Sequence, residues 1–319
     1  MKRIGVITSG GDAPGMNAAI RAVVREAIAH KLEVYGIHRG YKGLLDGEIG
    51  QIDRSFVSGI INKGGTVLRT GRCPETRTHE GMARVVEMLK RRGIEGLVII
   101  GGDGSLAAGS KIAKAGIAVV CIPGSIDNDI YGTDETIGFD TALDTAVEAI
   151  DKIRDTADSH ERVFVVEVMG REHGFLALAV GMAAGAEFTI VPEVKFNFEK
   201  ICKELVRAHE VGKRSLIIVF AEGAGNARDF AERIEKCTGY ETRLSSLGYI
   251  QRGGSPSGIS RILAGQFGAH AIKLLLTGKK GRLVVKSRGV ISDIAIADAM
   301  RGKKKLDASM LALAHRLAT

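Results

Sequence analysis

The stretch Ile117-Ala118-Val119-Val120-Cys121-Ile122-Pro123-Gly124-Ser125-Ile126-Asp127-Asn128-Asp129 decides how this chain is read. An apolar run entering Pro-Gly reads as a buried strand that stops at a loop. The loop then sets a hydroxyl and two carboxylates close together at a strand's carboxyl end, where open α/β sheets hold ligands. Burying two acids side by side is costly, so the pair points to a metal, a proton transfer or both. An acidic surface turn is the plainer reading of Asp-Asn-Asp. It does not explain a second glycine–acid loop, Gly101-Gly102-Asp103-Gly104-Ser105, which also follows an apolar run. Two such loops favour catalysis.

Working outward, strand-like runs alternate with helical patterns. Gly5-Val6-Ile7 enters Thr8-Ser9-Gly10-Gly11-Asp12-Ala13-Pro14-Gly15, and a helix is expected from near Met16. Its Ile20, Val23, Val24, Ala27 and Ile28 recur on one face. Val34–Ile37 and Gly96–Ile100 read as further strands, the second after a helix ending at Gly93. A second series follows Gly138: a helix marked by Leu143, Val147, Ile150 and Ile153, then strands at Val163–Val168, Phe188–Val191 and Leu216–Phe220. This predicts an α/β protein of two Rossmann-like lobes, each a mainly parallel sheet flanked by helices, with the active site in the cleft between them. Strand order stays open.

At 319 residues with 45% hydrophobic and 26% charged residues, the chain can bury a full core and is not a disordered type. A strand pattern in Met1-Lys2-Arg3-Ile4-Gly5-Val6, almost at the terminus, is expected to leave no room for a signal peptide, no apolar run approaches membrane-spanning length, and four scattered cysteines suggest neither zinc nor a disulfide framework. A cytoplasmic protein with reduced thiols and no membrane contact is expected. The net charge of +8 suits nucleic acid or small anions. Nucleic-acid surfaces interleave basic residues with aromatics, yet aromatics make up 5% here and the arginines sit singly in glycine-rich loops. Phosphorylated small molecules are favoured.

Gly10-Gly11-Asp12 and Gly101–Ser105 sit where strands turn into helices, so their backbone N–H groups can approach a phosphate. Each reads equally well as a tight βα turn. Neither matches the GxGxxG fingerprint or the GxxxxGK[ST] loop. Asp103 and Asp129 could share Mg²⁺, which takes one or two carboxylates and fills its octahedron with water and phosphate oxygens. Asp127 then remains as a base for a substrate hydroxyl. Arg72, Arg162, Arg171, Arg243 and Arg252 lie beside glycines or at the ends of apolar runs, and such cations suit the charge that builds in phosphoryl transfer.

The loops Thr8–Asp12, Gly101–Ser105, Pro123–Asp129, Met169-Gly170-Arg171 and Gln251-Arg252-Gly253-Gly254-Ser255-Pro256 together resemble the bacterial ATP-dependent 6-phosphofructokinases, in order and nearly end to end. The resemblance implies an ATP-binding domain, 1–138 plus 251–301, and a sugar-phosphate domain, 139–250 plus 302–319. It implies that Gly11, Arg72, Cys73, Gly102, Asp103, Gly104 and Ser105 hold ATP, with Asp103 and Asp129 on its Mg²⁺. Asp127 would take the proton from the 1-hydroxyl of fructose 6-phosphate. Ser125, Ile126, Met169, Gly170, Arg171 and Glu222 would position the sugar and the moving phosphoryl group. Tyr249, Ile250, Gln251 and Arg252 would meet the sugar phosphate, with Arg162 and Arg243 supplied by a neighbouring subunit of a homotetramer. Gly104 and Gly124 stand where pyrophosphate-dependent relatives carry Asp and Lys, which favours ATP as donor.

The chain departs from the family pattern in four places. Ser125 replaces threonine, keeping the hydroxyl without the stiff β-branch, and Tyr249 replaces histidine. The family's effector site for ADP as activator and phosphoenolpyruvate as inhibitor maps to Arg21, Arg25, Arg54, Gly59, Arg154 and Gly185, and onward to Ala186, Glu187, Val211, Lys213, Arg214 and Ser215. Arg21 and Arg25, one helical turn apart, are also like charges that an anion would relieve. Gly59 stands for an acid and Val211 for an arginine, so attenuated or retuned control is expected. A related kinase with another sugar phosphate or with pyrophosphate, and a nucleotide sensor without turnover, are the alternatives.

Overall fold

Gly96–Gly101 and Ala118–Ser125 carry no polar face, and both are interior strands of a sheet covered on both sides. The structure, a computed structural model, describes residues 1–318. In chain order the first elements are β1 (Arg3–Ser9), α1 (Met16–Ala29), β2 (Glu33–Ile37), α2 (Gly40–Asp46), β3 (Ile49–Ile52) and α3 (His79–Arg91). There follow β4 (Gly96–Gly101), α4 (Asp103–Lys114), β5 (Ala118–Ser125), β6 (Ile137–Gly138) and α5 (Phe139–His160). Next come β7 (Val163–Val168), α6 (Phe175–Ala183), β8 (Phe188–Ile190), α7 (Phe198–Glu210), β9 (Leu216–Ala221) and α8 (Ala227–Thr238). The chain closes with β10 (Thr242–Ser246), α9 (Gly258–Leu276), β11 (Arg282–Ser287), β12 (Val290–Ala295), α10 (Ile296–Arg301) and α11 (Ala308–Ala318).

The chain divides into two units, one of Met1–Ile126, Ile130–Thr141 and Arg252–Lys304, the other of Asp127–Asp129, Ala142–Gln251 and the residues from Lys305 onward. The larger unit holds one sheet in the order β12-β11-β5-β4-β1-β2-β3, with β6 beside β5. Its interior pairs are parallel, and antiparallel partners β3 and β12 close the two edges. A core that includes Ile7, Leu44, Leu89, Leu97, Ile99 and Leu106 covers one face. The smaller unit has a wholly parallel sheet, β10-β7-β9-β8, packed on a core that includes Phe220, Phe230, Leu205 and Ile234. Burying each such side chain contributes about 1.5–3 kcal/mol.

Local signals start the helices. Thr78 Oγ1 accepts from Gly81 N at 3.0 Å at the start of α3, and Asn197, Asn226 and Ser257 cap α7, α8 and α9 in the same way. By contrast α4 follows Gly102 with no side-chain cap, so no side chain takes the N–H groups of its first turn.

One expectation is corrected. The strand after Ile117 does not stop at Pro-Gly; β5 runs through both to Ser125. Pro123 pairs with Gly101, the last residue of β4, so its missing N–H falls where that ladder ends, and Gly124 and Ser125 pair onward with β6. Among the described residues no helix is long and apolar enough to cross a membrane.

Candidate functional site

In the larger unit, three strand ends carry the loops that the motifs single out. After β1, Gly10 and Gly15 have φ of 87° and 103°, which opens the turn into α1. A Cβ built on Gly11 would lie 1.8 Å from Arg252 Nη2, so the Arg252 guanidinium rests directly on the loop backbone and a side chain at 11 would displace it. After β4, Asp103 and Gly104 are exposed at the uncapped start of α4, and a side chain at 104 would meet open space. Ser105 is buried, and its Oγ donates to the Ser9 carbonyl at 3.0 Å, tying this loop to the end of β1. The Ser105 N–H in turn donates to the Gly102 carbonyl at 2.9 Å, so Ser105 holds the shape of this loop.

Gly124 is a packing glycine as well as a motif residue, since a Cβ there would meet Met16 Cε at 3.1 Å and Ile100 Cγ2 at 3.4 Å. Thr136 Oγ1 donates to the Ser125 carbonyl at 2.5 Å, and Ile126 is buried. Arg72 is exposed. The neighbouring Cys73 carbonyl accepts from Thr76, while burial and then Glu75 raise the Cys73 thiol.

In the smaller unit, Asp127 is buried and Arg171 Nε lies 3.4 Å from its Oδ2. Both partners stand at strained turns, with Asn128 at φ 52° and Arg171 at φ 52°, a region that costs a non-glycine residue roughly 1 kcal/mol or more. Gly170, at φ 147°, begins the turn that Arg171 continues, and His173 N closes it on the Gly170 carbonyl at 3.0 Å. A Cβ on Gly223 would lie 2.2 Å from the Arg171 carbonyl, so the short 3-10 turn Glu222–Ala224 presses against that loop and sets Glu222 beside it. Gln251 is fully buried; its Oε1 accepts from Met169 N at 3.0 Å, and its Nε2 has no partner. Tyr249 and Ile250 are exposed.

Arg162 and Arg243 converge on a residue that the sequence reading passed over. Arg162 Nε donates to Glu241 Oε2 at 2.6 Å, and Arg243 Nη2 pairs with Glu241 Oε1. The Arg162 hydrogen bond holds the Glu241 carboxyl below the usual carboxylate range against a smaller effect of burial. Glu241 thus gathers two cations at one anionic point. Its place two residues before Arg243 was the only signal available.

The residues of the expected effector site fall in both units. Arg154, Gly185, Ala186, Glu187 and Lys213 come together in the smaller one. Arg154 Nη2 donates to the carbonyls of Ala184 and Gly185 at 2.7 and 3.2 Å, and Lys213 Nζ donates to Glu187 Oε1 at 3.2 Å. Lys213 also donates to the Ala318 carbonyl at the end of α11. Arg214 turns instead to Glu161 at 3.6 Å, Val211 is exposed, and the buried Ser215 Oγ has no partner. In the larger unit, Arg21 and Arg25 share α1, Arg25 Nε is buried without a partner, Arg54 is exposed, and Gly59 has φ 65° with open space around it.

Among the described residues no group of three or more His, Cys, Asp or Glu side chains could hold a metal by itself. Asp103 is exposed and Asp129 half-buried, and each offers hard oxygen donors of the kind that suit Mg²⁺ arriving with a phosphate ligand.

Comparison with known proteins bears on the whole chain. Residues 3–275 match the family described as Phosphofructokinase. The chain is 54% identical over 317 residues to the ATP-dependent 6-phosphofructokinase of Bacillus pumilus, which covers 99% of each chain. It is 53% identical over 317 residues to the Bacillus subtilis protein of the same name, again covering 99% of each. A phosphofructokinase structure from Saccharomyces cerevisiae matches 100% of this chain with a TM-score of 0.88 at 33% identity, and this chain spans 48% of the yeast chain.

Proposed function

The chain belongs to the phosphofructokinase family, and on that footing we propose that it transfers the γ-phosphoryl group of ATP to the 1-hydroxyl of fructose 6-phosphate, giving fructose 1,6-bisphosphate and ADP in glycolysis. The observation that carries this reading is the Asp127–Arg171 pair, a buried carboxylate with a guanidinium 3.4 Å away. Asp127 accepts the hydroxyl proton as the oxygen attacks phosphorus, and general-base help of this kind contributes about 10²–10⁴ in rate. Arg171 meets the charge that spreads over the transferred phosphoryl oxygens.

The larger unit serves the nucleotide. The start of α4 and the backbone of Gly11, Gly102 and Gly104, shaped by Ser105, receive the phosphates, with Arg72 and Cys73 at the rim. Asp103 and Asp129 would hold Mg²⁺, which neutralises phosphate charge when bound. The smaller unit serves the sugar phosphate through Asp127, Met169–Arg171, Glu222, Tyr249, Ile250 and Gln251, and the family resemblance assigns Ser125 and Arg252 to the same substrate. The partnerless Gln251 Nε2 is a donor suited to a sugar or phosphate oxygen. Arg162 and Arg243, drawn together on Glu241, form a clamp for the 6-phosphate bound by a neighbouring subunit of a homotetramer.

ADP and phosphoenolpyruvate act at an effector site shared between subunits of the homotetramer, to which Arg154, Gly185, Glu187, Lys213, Arg21, Arg25 and Arg54 belong. Gly59 and Val211 remove one carboxylate and one guanidinium from it, so control is attenuated or retuned. A coupled assay of fructose 1,6-bisphosphate formation, with ATP or pyrophosphate as donor and with or without ADP, tests the whole reading. Turnover with ATP alone is expected; preference for pyrophosphate overturns the donor assignment. Strong sigmoidal inhibition by phosphoenolpyruvate, fully reversed by low ADP, overturns the attenuated control.

A further inference from the structure

Two cysteines of the smaller unit take no part in the proposed reaction, and they lie opposite each other on neighbouring helices. α7 and α8 pack side by side, and ring contacts fix their register. Phe198 meets Phe230 edge-on at 5.8 Å between centroids, and the Arg233 guanidinium lies 4.0 Å from the Phe198 centroid. One helical turn further along each helix, Phe198 gives way to Cys202 and Arg233 to Cys237. That equal step sets Cys202 and Cys237 at facing positions of the two helices, near enough for each sulfur to bear on the other's proton.

Their surroundings differ sharply. Cys202 is 3% exposed, whereas Cys237 is open to solvent. Burial and then the neighbouring sulfur push the Cys202 thiol up to about 12, with Arg233 opposing. A solvent-facing sulfur beside a shielded one is the layout of an oxidisable pair, in which the outer sulfur reacts first and the inner one resolves it. The other two cysteines offer no such layout: Cys121 is buried in the sheet of the larger unit, and Cys73 adjoins Glu75.

We propose that Cys202 and Cys237 form a reversible intramolecular disulfide when a peroxide reaches Cys237. The Cys237 thiolate attacks one peroxide oxygen, the O–O bond breaks, and hydroxide leaves a sulfenic acid behind. The Cys202 sulfur then attacks the sulfenic sulfur, and its proton departs with the displaced hydroxide as water. Two thiols and one hydrogen peroxide become one disulfide and two waters; the sulfurs lose two electrons and the peroxide gains them. The bond ties together the helices that lead into Val211–Ser215 and Tyr240–Arg243.

The test uses the full-length protein, hydrogen peroxide as oxidant, alkylation under denaturing conditions and peptide mapping. Two of the four thiols should disappear together, with the peptides carrying positions 202 and 237 joined and both thiols recovered by dithiothreitol. Cys202→Ser should leave Cys237 trapped as a sulfenic acid, open to dimedone labelling, and Cys237→Ser should leave Cys202 unoxidised. Thermal melting of the reduced variants checks that each is folded, and the wild-type map stands without them. Oxidation of Cys237 to the sulfinic acid with Cys202 still alkylatable overturns the proposal. So does cross-linking of two chains through Cys237.

Discussion

Asp127 with Arg171 and Glu187 with Lys213 are nearly the same interaction by distance. The separations are 3.4 and 3.2 Å, the carboxylates are 8% and 5% exposed, and their cations are 62% and 39% exposed. The backbone around them differs. Glu187 Oε2 accepts from Ile217 N at 2.6 Å, and Glu187 N donates to the Ile217 carbonyl at 2.9 Å, so the residue is knitted into the edge of the β8–β9 ladder. Asp127 and Arg171 stand on loops after β5 and β7 whose turns hold Asn128 and Arg171 at positive φ. Burial and pairing alone do not separate a reacting carboxylate from a structural one. The proposed base sits beside positive-φ loop residues, whereas Glu187 is fixed by strand-to-strand bonds.

The largest expected effect breaks the first pair. Asp127→Ser should lower kcat by about 10²–10⁴-fold with ATP binding and the melting temperature little changed. Steady-state kinetics beside nucleotide titration reads this, and intact turnover removes Asp127 as the base. Glu187→Gln should do the reverse, lowering stability by about 1–3 kcal/mol in denaturant titration while kcat holds. If it instead lowers kcat as Asp127→Ser does, the contrast between the two pairs fails.

A third shielded carboxylate, Asp293, sharpens the comparison through pH. Burial pushes its carboxyl up, but hydrogen bonds from Arg282 and Lys279 together outweigh that and hold it below the usual carboxylate range. A depressed folded-state value means the stabilisation is present above the unfolded-state value, about 4, and is lost as pH falls through the folded-state one. Asp293→Asn should therefore flatten the acid limb of the stability curve, and equal steepness in wild type and variant would show that the cluster contributes nothing there. The smallest effect is expected at Tyr249, which is 79% exposed. Tyr249→His should change the fructose 6-phosphate KM by a modest factor and leave kcat alone, and an unchanged KM counts against a substrate role.

Much of the fold was legible because β4, β5 and β9 are apolar on both faces and β7 is apolar but for Glu167, and such runs announce themselves without knowledge of their partners. The end of β5 was misread because Pro-Gly usually stops a strand; only the pairing of Pro123 with Gly101 shows why it does not. Within the candidate site, the glycine–acid loops stood out by composition. Glu241 did not, since a glutamate near an arginine is ordinary until Arg162 arrives from β7's start, far along the chain. Gly124 shows a further limit: its absent side chain suited a donor argument, yet Met16 and Ile100 crowd the same space.

The sequence by itself determined the α/β class, the two series of strands and helices, and the loops that carry chemistry, because each of these is written in short runs of neighbouring residues. Tertiary structure alone decided the strand orders, the seating of Arg252 on Gly11, the gathering of Arg162 and Arg243 on Glu241, and the meeting of Cys202 with Cys237. Each of these joins residues distant in the chain, and what brings them together is the packing of strands and helices into a common core rather than any local preference.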